Sequence, residues 1–296
     1  VRRALVRLGV ALLTALVLLV AYGLLVEPRL VRDEERFPVD LPRLPADAPS
    51  RTVAVFSDLQ VGMWFANTGM VEDIVERVVE ERPSAALIGG DFVYSHDPVP
   101  AEQVDRAVDL VAPLTAAGIP TFAVLGNHDY AVGAVDELVV GLESIGVRVL
   151  RNEAAPVPGT GAGAAALHVV GLGPARPDRT DVAAALAQLP NGAPRVVLAH
   201  NPTSFPQLPA DSAPLAVAGH THCGQVAVPF TPEWSFLELT AEERYVVDGW
   251  APPGYGAVGN RLHVNCGIGF SVAPIRIAAP PQLVLFDLQP TTRGSP

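Results

Sequence analysis

The sequence predicts an α/β fold behind an N-terminal transmembrane helix, and three observations predict it. Helix-period and strand-like segments alternate from residue 52 to residue 150, short apolar runs separated by loops continue to residue 288, and an uncharged run over 8–26 precedes both. Alternation of this kind builds a sheet covered by helices. A run of 19 residues spans about 28 Å as a helix, close to the hydrocarbon thickness of a bilayer.

The apolar run is broken only by Thr14, Tyr22 and two glycines, and Arg2, Arg3 and Arg7 stand before it. By the positive-inside rule the basic end is cytoplasmic and everything after Glu27 lies outside, which predicts a single pass through the cytoplasmic membrane with an extracytoplasmic body. A cleaved signal peptide is the competing reading, but no clear Ala-x-Ala site closes the run, so a retained anchor over 1–27 is favoured. The Arg2-Arg3 pair also fits a twin-arginine export signal. Residues 28–50 read as a tether, extended by Pro28, Pro38, Pro42, Pro45 and Pro49 and wetted by alternating charge. The folded body is expected over 51–290 and a tail over 291–296.

Within the body, 52–56 reads as a short buried strand. Residues 70–81 read as a helix, with Val71, Ile74, Val75, Val78 and Val79 on one face. A strand at 85–88, a helix at 101–116, a strand at 121–125, a helix at 133–144 and a strand at 147–150 follow. The second half offers apolar runs at 166–171, 195–199, 214–218, 262–265 and 282–288, with one helix near 181–189. No internal repeat is visible.

Composition narrows the function. Hydrophobic residues make up 49% and charged residues 17% of the 296, the balance of a thick core plus a membrane segment. The 26 glycines and 29 prolines are too dispersed for collagen and suit many loops between short elements. A net charge of −11 disfavours nucleic-acid binding, which draws its affinity from basic side chains. The cysteines, Cys223 and Cys266, lack CxxC zinc spacing and are too few to build a scaffold.

Polar chemistry gathers where the expected strands stop. Asp58 follows the first strand, Asp91 the second, and Asn127, His128 and Asp129 the third; His200 follows the run at 195–199, and His220 and His222 the run at 214–218. One strand-end Asp is ordinarily a turn former and one lone His an ordinary hydrogen-bonded residue. Five coincidences on separate strands put carboxylate, amide and imidazole groups on one rim, a set that suits Mn²⁺, Fe or Zn²⁺.

These residues closely resemble the calcineurin-like metallophosphoesterases. The carrying motifs are Asp58-Leu59-Gln60, Gly90-Asp91, Gly126-Asn127-His128-Asp129, His200-Asn201-Pro202 and Gly219-His220-Thr221-His222, in that order over about 52–288. Gly224-Gln225, the run Gly267-Ile268-Gly269 and Pro274-Ile275-Arg276 are similar to a membrane-anchored or exported bacterial branch. The resemblance implies a four-layer α-β-β-α sandwich holding two divalent metal ions and hydrolysing a phosphoester substrate through a hydroxide between the metals. Carried over position by position, Asp58 and His222 bind the first metal, with Gln60 a further candidate ligand to it, Asp91 bridges both, and Asn127, His200 and His220 bind the second. His128 serves the leaving group. Relatives orient that His with an Asp where this chain has Tyr94, and Asp129 is a candidate substitute. Gln60 stands where the family has a His ligand. An amide oxygen is a weaker donor than imidazole toward Zn²⁺ or Fe, so the first metal is expected to bind less tightly, with Mn²⁺ favoured.

Three functions fit: an extracytoplasmic phosphoesterase acting on envelope or lipid-linked phosphodiesters, pyrophosphates or phosphomonoesters; a catalytically weakened metal- or phosphate-binding domain, for which Gln60 speaks; and a nuclease or protein phosphatase, against which the acidity and Asp129 speak. His96 is expected in a solvated loop, and His168 and His263 in strand packing. Trp64, Phe65, Trp234, Phe236 and Trp250 fall on loops where they either pack locally or line an apolar wall. Cys223 and Cys266 are expected to stay unpaired, although an oxidising compartment would permit a bond.

Overall fold

A computed structural model describes residues 1–45, 49, 51–228, 234 and 236–291. Helix α1 (Arg2–Ala21) buries no residue and continues through a π-turn at Tyr22–Val26 into α2 (Glu27–Leu30). The first sheet collects β1 (Asp33–Leu41), β2 (Arg51–Phe56), β3 (Ala85–Ile88), β4 (Thr121–Ala123) and β5 (Arg148–Val149). The second collects β6 (Glu153–Pro156), β7 (His168–Gly171), β8 (Arg195–Leu198), β9 (Ala216–Ala218), β10 (Gly249–Trp250) and β11 (Leu262–Val264), and β12 (Gln282–Pro290) returns to the first. Among the described residues the orders are β1-β12-β2-β3-β4-β5 and β10-β11-β9-β8-β7-β6.

Strand alternation decides the layers, because successive side chains point to opposite faces. Val53 and Val55 of β2, Ala85 and Leu87 of β3, and Val196 and Leu198 of β8 meet between the sheets. Ala54, Phe56, Ala86 and Ile88 face the other way, against α3 (Thr68–Glu81), α4 (Ala101–Ala116) and α6 (Val135–Ser144). Val197, Ala216 and Ala218 face α7 (Val182–Ala187) and the outer loops. The four-layer α-β-β-α sandwich follows. Its β2–β3–β4 and β7–β8–β9–β11 pairings are parallel, so their carboxyl ends share one rim.

Three expectations change. The expected tether over 28–50 is not free where it is described, its residues 46–48 and 50 lying outside the described ones: β1 adds in parallel to β12 along its whole length, with Val39 and Leu41 fully buried. The charges read as solvated are paired, Arg36 with Asp287 at 2.7 Å and with Glu81 at 3.0 Å, and Arg77 with Glu34 at 2.8 Å. Pro38 is tolerated because β1 is an edge strand and needs no outward N–H. Second, Cys223 and Cys266 form a disulfide, their Cα atoms 4.8 Å apart, brought together by loops distant in sequence. Third, Trp250 is on strand β10 and packs with Phe37, His263 and Phe286. His168 and His263 are buried, and His96 lies beside Ser95 on the surface. The expected tail lies outside the described residues beyond Thr291, as do 229–233 and 235 of the segment before β10.

Candidate metal centre

Each named side chain hangs from the turn after a strand. Asp58 and Gln60 follow β2, Asp91 follows β3, His200 follows β8, and His220 and His222 follow β9, while Asn127 opens the short helix α5 (Asn127–Ala131) after β4. Asp58, Gln60, Asp91, His220 and His222 have φ between +50° and +76°. Left-handed backbone costs about 1–2 kcal/mol at a non-glycine residue and persists where the surroundings over-determine it. Here it turns these side chains inward at the rim. Glycines permit the approach: a Cβ on Gly126 would sit 2.1 Å from Asp91 Oδ1, and one on Gly267 would sit 2.6 Å from the Asp58 side chain.

The structure brings all seven candidate ligands together, in two differently prepared halves. In one half, Asp91, His200 and His220 offer donor atoms within 4.8 Å of one another. His200 Nδ1 faces the Gly89 carbonyl at 2.8 Å, which can only accept, so the ring's other nitrogen is the one that points into the site. That Nε2 lies 3.0 Å from Asn127 Oδ1 and 3.3 Å from Asp91 Oδ2. Burial opposes protonation of His200, but the Asp91 carboxylate outweighs it and raises the pKa to about 9, while the histidines hold Asp91 well below the usual carboxylate range despite its burial. A proton on Nε2 satisfies the two oxygens here; a divalent cation suits the same convergence of imidazole, amide and carboxylate, so this half fits a metal.

The other half holds Asp58, Gln60 and His222. Gln60 Nε2 donates to Asp91 Oδ2 at 3.0 Å and lies 3.4 Å from His222 Nε2, and its Oε1 is buried without a hydrogen-bond partner. His222 Nε2 is 3.5 Å from Asp58 Oδ1. Behind it the fully buried Arg276 places Nη2 3.2 Å from His222 Nδ1, and also donates to the carbonyls of Cys266, Gly269 and Ala279. An arginine only donates, so Nδ1 accepts and the neutral ring's proton is on Nε2. Burial, reinforced by Arg276 and only partly opposed by Asp58, lowers His222 to about 4. The donor types fit a cation, but the amide must turn its oxygen inward and His222 must move its proton first.

His128 is half-buried, with Nε2 4.0 Å from Asp91 Oδ2 and its backbone N–H donating to Asp91 Oδ1 at 2.9 Å. Tyr94 packs beside it with the rings tilted by 41°, centroids 4.6 Å apart. Asp129 does not orient this ring: its fully buried carboxylate accepts from the backbone N–H groups of Asp91, Phe92, Val93 and Gly126. It fastens the Asp91 loop to the Asn127 loop. Sequence reasoning missed Glu243 on α8 (Ala241–Tyr245). This buried carboxylate meets His220 Nε2 at 3.1 Å and lies 3.7 Å from the half-exposed Arg176. Despite burial, bonds from His220 and Thr240 hold its pKa at about 2. The Thr240-x-x-Glu243 capping box was the legible signal, and it marks a helix start without saying what the helix touches.

The model of the calcineurin-like phosphoesterase family matches residues 51–224. Phosphodiesterase YaeI of Escherichia coli is 30% identical over 231 residues, covering 76% of this chain and 77% of that protein. An uncharacterized metallophosphoesterase of Aquifex aeolicus is 27% identical, covering 86% of this chain and 91% of its own length. The solved structure of TT1561 of Thermus thermophilus is similar with a TM-score of 0.46 at 12% identity, over 74% of this chain and 91% of that one.

Proposed function

Because the chain belongs to the calcineurin-like phosphoesterases, a family of hydrolases of phosphoester bonds, we propose that it is a membrane-tethered phosphodiesterase acting outside the cytoplasmic membrane. The observation that carries the proposal is the convergence of His200 Nε2, Asn127 Oδ1 and Asp91 Oδ2 at the strand ends, with the His128 ring beside them. When bound, two divalent cations supply Lewis acidity toward phosphoryl oxygens and lower the pKa of coordinated water. Asn127, His200 and His220 would hold one, Asp58, Gln60 and His222 the other, and Asp91 both.

The chain's own groups do the rest. Gly89 fixes the His200 tautomer through Nδ1, and Glu243 takes Nε2 of His220, leaving Nδ1 for a cation. As water attacks phosphorus and gives up a proton to solvent, the P–O bond opposite it breaks and the half-exposed His128 ring, entering in its protonated form, passes a proton to the departing ester oxygen. Tyr94 limits how that ring turns. The positive flank of α1 and the Cys223–Cys266 disulfide support an extracytoplasmic body. Envelope and lipid-linked phosphate esters are the substrates such a tether would concentrate.

Gln60 and Arg276 favour one second reading, a domain that binds metal or phosphate with weakened turnover. Hydrolysis of an aryl phosphodiester and an aryl phosphomonoester with added Mn²⁺, measured beside metal content, separates the two. Turnover is expected to vanish in Asp91→Ala together with bound metal, and to fall in His128→Ala with metal retained. Full metal loading without turnover on either ester would establish the binding domain instead.

A further inference from the structure

The end of the membrane helix is built into the folded body. Gly23 lies so close to Ile275, Ile277 and the Arg276 carbonyl that a Cβ would clash, and Arg276 N donates to Gly23 O at 2.9 Å. The buried Glu27 carboxylate accepts the N–H groups of Ala278 and Ala279 at 3.0 and 2.8 Å. Arg29 then reaches the loop that begins with Asp58 and Gln60. Its guanidinium donates to Phe65 O, Ala66 O and Asn67 Oδ1 at 2.5, 2.7 and 3.1 Å, and lies over the rings of Phe65 and Phe270 at 4.1 and 5.2 Å. Asn67 Nδ2 returns a bond to Pro28 O at 2.7 Å.

Around Arg29 the molecule turns large apolar side chains to the outside. Leu30 is 77% exposed, Trp64 66% and Phe65 52%. Val272, 63% exposed, sits on the segment between Phe270, under Arg29, and Ile275, against Gly23. These positions mark the level at which the helix Arg2–Leu30, whose most apolar 18-residue stretch has a mean hydropathy of 2.6, ends. A tryptophan, a phenylalanine and an arginine lying on aromatic faces at the end of a span have the composition of the membrane interface. There amphipathic rings sit at headgroup level and cationic heads reach the phosphates.

We propose that this patch rests on the outer surface of the bilayer, with Trp64 and Phe65 seated at the boundary of headgroups and acyl chains. The occupant is lipid because the patch is continuous with a helix that offers lipid its entire surface. The metal site is then held at the membrane rather than at the end of a flexible stalk. Gln60 and Trp64 are four residues apart in sequence, a reach of at most about 14 Å. Phosphoesters displayed by a lipid surface come within reach without leaving it. The placement rests on the retained anchor proposed above.

The full chain is reconstituted in vesicles of phosphatidylethanolamine and phosphatidylglycerol, with and without brominated acyl chains. Trp64 emission, isolated as the difference between the native chain and Trp64→Phe, is expected to drop by roughly half or more on brominated lipid. A fluorophore on Val272→Cys provides a second position independent of the first variant and is expected to be quenched by the same lipid. Alkaline carbonate extraction of the same vesicles reports the anchor, and aryl phosphodiester hydrolysis reports the enzyme, so failure of either is separable from failure of docking. Unquenched probes at both positions in a chain that resists extraction would overturn the proposal. So would a second copy cross-linked through Val272→Cys, because protein rather than lipid would then cover the patch, and so would release of the chain by carbonate.

Discussion

Glu243→Ala removes a carboxylate that touches no candidate metal position yet sets how His220 presents itself. The Nε2···Oε1 contact of 3.1 Å keeps the proton on Nε2 and the lone pair on Nδ1. Without the carboxylate the ring is free to change tautomer and to rotate. Losing such a partner lowers metal affinity by about 10- to 100-fold, equivalent to about 1.4–2.7 kcal/mol. The same side chain closes a capping box, accepting Thr240 N at 2.7 Å while Glu243 N donates to Thr240 Oγ1 at 3.2 Å. Part of the fall in Glu243→Ala therefore belongs to helix stability, about 1 kcal/mol for a cap. Thr240→Val isolates that part, because it breaks the cap and leaves the carboxylate opposite His220. Glu243→Gln retains an acceptor oxygen and is expected to recover most of the affinity. The assay is calorimetric titration of the metal-free chain with Mn²⁺, with thermal unfolding of each variant as the control for folding. Native affinity in Glu243→Ala, or an equal loss in Thr240→Val, would refute the reasoning.

Gln60→His supplies an imidazole at a position whose amide nitrogen now faces Asp91, and it is expected to raise bound metal toward two per chain and lower the Mn²⁺ concentration needed for full rate. Metal analysis and a metal titration check it, and no change in either would show that Gln60 is already a competent ligand. Replacing Cys223 and Cys266 by Ser opens a crosslink with a sequence separation of 43, which chain entropy values at about 4 kcal/mol. It also frees a turn in which His222, Cys223 and Gln225 all have positive φ. Denaturant unfolding should show the loss, and unchanged stability under both oxidising and reducing conditions would contradict it. His263 is buried among Phe37, Trp250 and Phe286, and burial lowers its pKa to about 4. Below the unfolded value near 6.5 the unfolded chain takes up a proton that the folded chain refuses. Stability is therefore lost as the pH falls from about 6.5 to 4, by up to about 3 kcal/mol. His263→Phe should flatten thermal stability across that window, and an unaltered pH profile would assign the acid sensitivity to other groups.

Although β1, β6, β10 and α8 were not, most of the strands and helices of the body, and the order of the ligand-bearing turns, were legible in the sequence. Those features rest on local signals: alternation in Val53–Val55 and Leu87–Ile88, the 3.6-residue period of Val71, Ile74, Val75 and Val78, and polar residues placed where apolar runs end. The apolar N-terminal helix was equally legible, since a span is a matter of length and hydropathy. Which distant segments meet is a property of the folded chain alone. Glu243 reaches His220, Arg276 reaches His222, and Cys223 reaches Cys266 across separations of 23, 54 and 43 residues, and no local pattern encodes a contact made by a loop on another element. The same holds for residues 33–41, whose alternating charges read as solvated until β12 placed Asp287 beside Arg36. Gln60 could be seen to depart from its motif. That its nitrogen faces Asp91 while Arg276 occupies the far side of His222 follows from packing and hydrogen-bond direction, which exist only once the sheets close on each other.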